Sequence, residues 1–356
     1  MQEASRRRWG GDLRRINLFR RLAERTDATV LFGWGPRQLR DEFGLLRILL
    51  PTPGAIVKRR VRPKLASSEM ISPDVLPMVR RVLDPAAVAV YDDPIAQAVD
   101  LGITLPEARR SYFAARKLAN LRRFRWYVVP TRSFAEHIGL DVSRVIVAGN
   151  GTDTTQIVPG EWPEDPAIGM ASGAAPGRGI ETLMSAARLL YEEIPELRLL
   201  LWLAPTGPES QAYLAELQQA TARERWIEVS TVGYADLSHA FRQATVLTIP
   251  HPPGEYHDVA LPLKLLDSMS AGRPIVVTPR REIRAIVERH GVGAVAGGDS
   301  VDDLAGALRE LILAPERARA MGQRARHVAE TVYDWAVVGE EVARMVLERE
   351  AGSGSA

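Results

Sequence analysis

Apolar positions along this chain follow two alternating periods, one helical and one extended. Residues 11–25, GDLRRINLFRRLAER, set Leu13, Ile16, Phe19, Leu22 and Ala23 on one helical face, with arginines elsewhere. ATVLFGW follows as a β-branched and aromatic run that predicts a strand. AVAVYDDP (87–94), WYVVPT (126–131) and SRVIVAGNG (143–151) read as further strands, and LPEARRSYFAARKLANLRRF as a long basic helix. After Gly151 the rhythm restarts: strand AIGMAS, helix 179–192, strand LRLLLWLAP, helix 208–222, strand WIEVSTVG, helix 235–243, strand ATVLTIP. The stretch YHDVALPLKLLDSMSAGRPIVVT, 256–278, reads as loop, helix, turn and strand. Pro262 suits a first helical position, Leu263, Leu266 and Met269 keep helical spacing, and Gly272 suits a left-handed stop. Helix 280–290, strand GAVA and helices 301–313 and 315–331 follow.

Such alternation predicts an α/β protein with parallel sheets covered by helices. A chain of 356 residues exceeds one ordinary core. The stretch GNGTDTTQIVPGEWPEDP, rich in Gly, Pro, Thr and Asp, is the linker candidate. We therefore expect two Rossmann-like, doubly wound domains facing a cleft, at 1–157 and 158–335. A helix at 336–350 is expected to pack back on the first domain, with a flexible tail at 351–356. The segment MQEASRRRW is no buried strand, so the first domain reads as lacking its opening strand.

Charge divides the chain the same way. Residues 1–150 hold 27 Lys and Arg against 15 Asp and Glu, a net of +12, and the remainder nets −10. An anionic partner suits the basic half. In RRINLFRRLAER and RRSYFAARKLANLRRFRW, arginines interleave with Leu, Phe, Tyr and Trp. Two readings of these stripes stand: a core-facing helix, or a helix lying on an anionic membrane surface. Nucleic acid is not the expected partner, since no recognition motif accompanies the basic residues. The sequence has no cysteine, which excludes disulfides, thiolate metal sites and cysteine nucleophiles. No apolar run is long enough to span a bilayer, and residues 1–30 lack the apolar core of a signal peptide. The expected compartment is the cytoplasm, at the inner face of the membrane if the basic helices lie on lipid.

Candidate chemistry collects where strands end, because doubly wound sheets bind ligands beyond their strand carboxyl ends. AIGMAS ends at Ser172 and runs through Gly173 into GAAPGRGIETL, where Arg178 precedes a helix start. Small residues, a helix N-terminus and a guanidinium together suit a diphosphate. Lys264 opens another helix after a strand, against the helix dipole, and a bound diphosphate would offset that clash. Asp267 shares its face and can accept hydrogen bonds from a ribose diol. His137 and His239 read as ordinary helix residues and His251 as a loop residue. The six histidines show no metal spacing such as HExxH, so no metal is expected.

In order along residues 125–335, VVPTRSFAEHI, NGTDTTQ, GAAPGRGIETL, VGYADLSHAFRQATVLTIP and LPLKLLDSMSAGRPIVVT resemble the donor half of family-4 retaining glycosyltransferases. The resemblance implies the GT-B fold and transfer of a sugar from a nucleotide-sugar, UDP- or GDP-linked, without metal or resident cofactor. It implies that Arg178 contacts the donor diphosphate, Asp267 the ribose, and Tyr234 the base. The family's donor-sugar glutamate falls at Val259 here, in a loop with Ala260 and Leu261, and Glu255, His257 and Asp258 just upstream are the candidate substitutes. A basic residue common in the strand-end loop is replaced by Gly173, leaving Lys264 to supply charge. In the first domain the resemblance implies acceptor-side roles for Gly10 and Gly11, and it makes Asp92 and Asp93, at the end of VYDDP, catalytic candidates near the sugar, alongside Glu255, His257 and Asp258. Gly10–Gly11 as a plain turn and the aspartates as helix caps are the bland alternatives. The acceptor is a glycan, a lipid-linked group or a small molecule. A binding protein without turnover and a nucleotide-sugar epimerase of the same architecture are the competing readings.

Overall fold

The computed structural model describes residues 17–18, 30–31, 65–67, 88–90, 126–205 and 207–353. Contacts divide the chain at Gly149/Asn150 and at Asp334/Trp335, so residues 150–157 join the second unit and the C-terminal helix the first. Gly10, Gly11, Asp92, Asp93, the segment MQEASRRRW and nearly all of both basic stripes lie outside the described residues.

In the first unit β1 (Val30–Leu31), β2 (Leu65–Ser67), β3 (Val88–Val90), β4 (Trp126–Val129) and β5 (Val145–Val147) pair in chain order, all parallel. Four of these strands fall within runs that read as strands. β2 does not, because LAS is three residues long and follows Pro63 and Lys64, too short to show a period. Helix α1 (Arg132–His137) starts where the Thr131 hydroxyl accepts from the Phe134 N–H at 3.1 Å, and it buries Phe134 and Ala135.

The second unit carries six parallel strands, β6 (Ala167–Gly173), β7 (Arg198–Ala204), β8 (Ile227–Ser230), β9 (Val246–Ile249), β10 (Ile275–Val277) and β11 (Gly293–Val295). Their order is β11-β10-β9-β6-β7-β8. The chain runs outward from β6 to β8, returns to β9 beside β6, and runs outward the other way. This reversal between β6 and β9 marks the position where doubly wound sheets hold ligands. The strand RLLLWLA is almost wholly apolar because helices cover both faces of the sheet. Helices α2 (Ile180–Glu193), α3 (Pro208–Thr221), α4 (Leu237–Arg242), α5 (Glu255–Val259), α6 (Leu263–Ser270), α7 (Arg281–His290), α8 (Val301–Ile312) and α9 (Pro315–Val328) cover it. On one face Leu183 and Leu190 of α2 and Leu304 and Leu308 of α8 pack with Leu199 and Leu201. On the other, Leu237 and Phe241 of α4 pack with Leu200, Trp202 and Leu247. Each such fully buried side chain contributes roughly 1.5–3 kcal/mol of burial free energy.

Two local readings are corrected. Pro262 is the N-cap of α6, with extended ψ of 138°, and Leu263 is the first helical residue. Proline's fixed φ suits either place, so sequence alone does not separate them. The loop before it contains the five-residue α5, too short to show a period. Gly272 stops α6 with φ of +67°.

The Gly/Pro/Thr/Asp-rich stretch at 150–165 is tightly held. Thr152 and Ile157 are fully buried. From α9, Arg326 donates to the carbonyls of Thr154, Ile157 and Ser270. The Thr152 N–H donates to the Tyr333 carbonyl at 2.8 Å, Thr152 and Asp334 form a parallel bridge, and the Thr154 hydroxyl donates to the Asp334 carboxylate at 2.6 Å. The points where the chain enters and leaves this unit are thus side by side. Beyond the second crossing, α10 (Trp335–Ser353) lies on β5, and Arg349 donates to the Ser143 carbonyl at 2.7 Å and covers the Trp126 ring. It runs through Ser353, past the expected end at 350.

Candidate active site

Two side-chain clusters occupy strand carboxyl ends in the second unit. The first surrounds the reversal point. β6 ends in Ser172 and Gly173, both partly exposed, and the turn into α2 takes positive φ at Gly177 (+74°) and Gly179 (+77°). A Cβ on Gly179 would lie 1.8 Å from the Pro250 carbonyl oxygen, so α2 starts hard against the end of β9. Gly179 gives α2 no side-chain cap, which leaves its first N–H groups for another acceptor. Arg178 stands immediately before it, with Nε buried and no hydrogen-bond partner. Burial pushes its pKa down, yet a guanidinium stays protonated at physiological pH. A buried cation without a counter-ion is costly, and a bound anion removes that cost.

His251 follows β9 and stacks on His257 of α5, with ring centroids 4.5 Å apart. Burial first, then the neighbouring His257, Arg178 and Arg280, holds the His251 pKa well below its ordinary value, so the ring is neutral. His257 is itself buried, with Nδ1 3.2 Å from the Pro252 carbonyl oxygen. After β10, buried Arg280 reaches Asp299 at 2.5 Å and Asp258 at 3.6 Å. Among the expected acidic and histidine candidates, Glu255 is therefore exposed, His257 buried, and Asp258 half-exposed beside Arg280. Val259, Ala260 and Leu261 are all buried, and the Asn150 side chain donates to the Leu261 carbonyl. Val259 has no charge with which to replace a sugar-binding glutamate.

The second cluster is built on the start of α6. Pro262 provides no side-chain cap, and Lys264 lies in the first turn. Its ammonium is 3.5 Å from the Asp267 carboxylate and 5.6 Å over the Tyr234 ring. The lysine is thus offset by a carboxylate on its own helix, not only by any ligand it meets. Asp267 is 1% exposed, and its other oxygen accepts from the Thr152 hydroxyl at 2.9 Å. Burial pushes its pKa up, against the opposing pull of Lys264 and Thr152. Burial likewise raises the Tyr234 phenol, and Gln156 donates to the Tyr234 carbonyl at 3.5 Å.

Arg178 and His251 thus share one cluster, and Lys264, Asp267 and Tyr234 share the other. Sequence reasoning missed Arg280, Thr152 and the membership of His251. The strand-end rule that selected Ser172 and Arg178 points equally to His251 after β9 and Arg280 after β10. Thr152 had no such signal, because its hydroxyl meets Asp267 across 115 residues. Among the described residues no group of three or more His, Asp or Glu could hold a metal ion, and no helix is long and apolar enough to cross a membrane.

Residues 165–313 match the profile of the family described as Glycosyl transferases group 1. An MMP alpha-(1->4)-mannosyltransferase of Mycolicibacterium hassiacum is 31% identical over 179 residues, 49% of this chain and 41% of that protein. The chain thus spans about two-fifths of the length of this curated relative. HepE of Anabaena, solved with UDP, superposes with a TM-score of 0.72 at 15% identity, over 97% of this chain and 98% of its own. Sucrose-phosphate synthase from Thermosynechococcus elongatus gives 0.63 at 14% identity, over 89% and 76%. At such identities the likeness establishes the fold, and the fold is GT-B.

Proposed function

We propose that this chain is a glycosyltransferase that moves a sugar from a nucleoside-diphosphate donor to a glycan, lipid-linked or small-molecule acceptor. The observation that carries this reading is Arg178, half-buried at the reversal point with its Nε buried and without a hydrogen-bond partner, before an uncapped helix. The group 1 profile, the mannosyltransferase relative and the UDP held by HepE support it.

In this reading the donor diphosphate lies against Arg178 and the start of α2, with Lys264 contributing charge from α6. Asp267 takes the ribose and Tyr234 stands near the base. As the anomeric carbon–phosphate oxygen bond breaks, negative charge grows on the diphosphate and meets a preorganised positive field. The acceptor hydroxyl oxygen bonds the anomeric carbon from the face the diphosphate leaves, and its proton passes to the departing diphosphate. That path retains configuration and requires no metal, no resident cofactor and no covalent nucleophile. The basic residues of the first 150 positions suit an acceptor carried on lipid phosphate at a cytoplasmic membrane face.

Buried Val259, where a sugar-binding glutamate is expected, favours a second reading: a protein that binds nucleotide-sugar without turnover. One experiment addresses both. UDP and GDP binding is measured by calorimetry for the wild type and Arg178→Ala, alongside sugar release from UDP- and GDP-linked hexoses. Arg178→Ala should weaken nucleotide binding by about 1.5–3 kcal/mol, the range of a charge-assisted hydrogen bond, without lowering the melting temperature. Equal affinity in the two proteins removes the diphosphate from Arg178. Tight nucleotide binding without release or transfer of sugar leaves the second reading.

A further inference from the structure

Thr152 ties the Asp267 carboxylate to the point where the chain leaves the unit. Its hydroxyl donates to Asp267 Oδ1, and its main chain is bridged to Tyr333 and Asp334, where the chain leaves the unit. Thr152 is itself fully buried, so its hydroxyl has a fixed direction. Asp267 Oδ2 meets Lys264 only at 3.5 Å, which is a loose contact. The shorter of the two bonds to this buried carboxylate is therefore the one from Thr152. A carboxylate has about four acceptor positions, so two bonds from the protein leave it acceptor capacity for a diol.

We propose that Thr152 is the positioning residue for the nucleotide's ribose: its hydroxyl keeps the Asp267 carboxylate aimed, so that its remaining acceptor positions meet the diol. The inference rests on the nucleotide reading of the site. Two consequences follow from the geometry. Loss of the hydroxyl lets Asp267 rotate, which weakens ribonucleotides more than their 2′-deoxy counterparts. It also leaves the carboxylate less stabilised among Lys264, Asp153 and Tyr234, the ionisable groups that face it, so Asp267 takes up a proton at higher pH. A protonated Asp267 has lost acceptor capacity, so affinity falls as pH drops through its titration. In Thr152→Val that fall moves to higher pH.

The test compares wild type, Thr152→Val and Thr152→Ser in the full chain. Affinities for UDP, GDP, dUDP and dGDP are measured from pH 5 to 8, with melting temperatures recorded in parallel. The valine variant should lose roughly three- to tenfold in ribonucleotide affinity, the value of one ordinary hydrogen bond. Its preference for ribo- over deoxynucleotide should shrink and its pH midpoint rise, and serine should restore both. A purely structural threonine would lower the melting temperature while leaving the ribo/deoxy ratio and the pH midpoint unchanged, and that result overturns the inference. So does a serine variant that behaves like valine. If the wild type binds none of the four nucleotides, the nucleotide reading itself fails.

Discussion

His251 shows how one residue's surroundings set its behaviour with pH. Its ring is neutral in the folded protein because burial, His257, Arg178 and Arg280 all oppose a second ring proton. In the unfolded chain it takes up that proton near its ordinary value of 6.5. Below that pH the unfolded state holds more protons than the folded state, so this residue makes the fold less stable as pH falls. His251→Gln has no such titration. The melting-temperature advantage of wild type over the variant should therefore shrink from pH 7.5 to pH 5. A difference that stays constant over the range would mean that His251 titrates alike in both states. The same cluster contains Arg178, whose buried Nε has no hydrogen-bond partner, so bound nucleoside diphosphate should reduce this acid sensitivity.

Among elements, the approach of α2 to β9 constrains the site most. Gly179 combines a left-handed φ of +77° with a Cβ direction that points at the Pro250 oxygen. Gly179→Ala should destabilise the protein by more than about 2 kcal/mol, strain and clash together, as read from denaturant unfolding. An unchanged midpoint would show that the helix start can retreat without cost. Elements with a long period were legible in the sequence: α2, α3, α7, α8 and α9 begin and end within three residues of their expected bounds. β2 and α5 were not, since three or five residues cannot establish a period. The same limit applied to the site. The placement of Arg178 and Lys264 at helix starts was legible because composition marks those boundaries, and that of Asp267 because it lies three residues beyond Lys264 on the same helix. The Thr152–Asp267 bond was not, because only the folded chain brings those residues together. The partner of Lys264 was half visible: Asp267 lies three residues on, but its burial was not apparent from the residue alone.

On the scale of the whole molecule, charge is the uneven property. The net of +12 in residues 1–150 stands against −10 in the rest. Under the proposed function a membrane-borne acceptor would meet the basic part, while the acidic part would hold the soluble donor. Vesicles containing acidic lipids should then sediment the protein at low salt, neutral vesicles should not, and added salt should release it as the charges are screened. Failure to sediment on acidic vesicles, with full transfer to a water-soluble acceptor, would confine the reaction to solution. The bridge between Thr152 and Asp334 bears on ancestry and engineering. A segment whose two ends are pinned together can be cut from one gene and spliced into another without stretching its host at the seams. Residues 150–334 meet that geometric requirement, so an exchange of this half leaves both seams at one place.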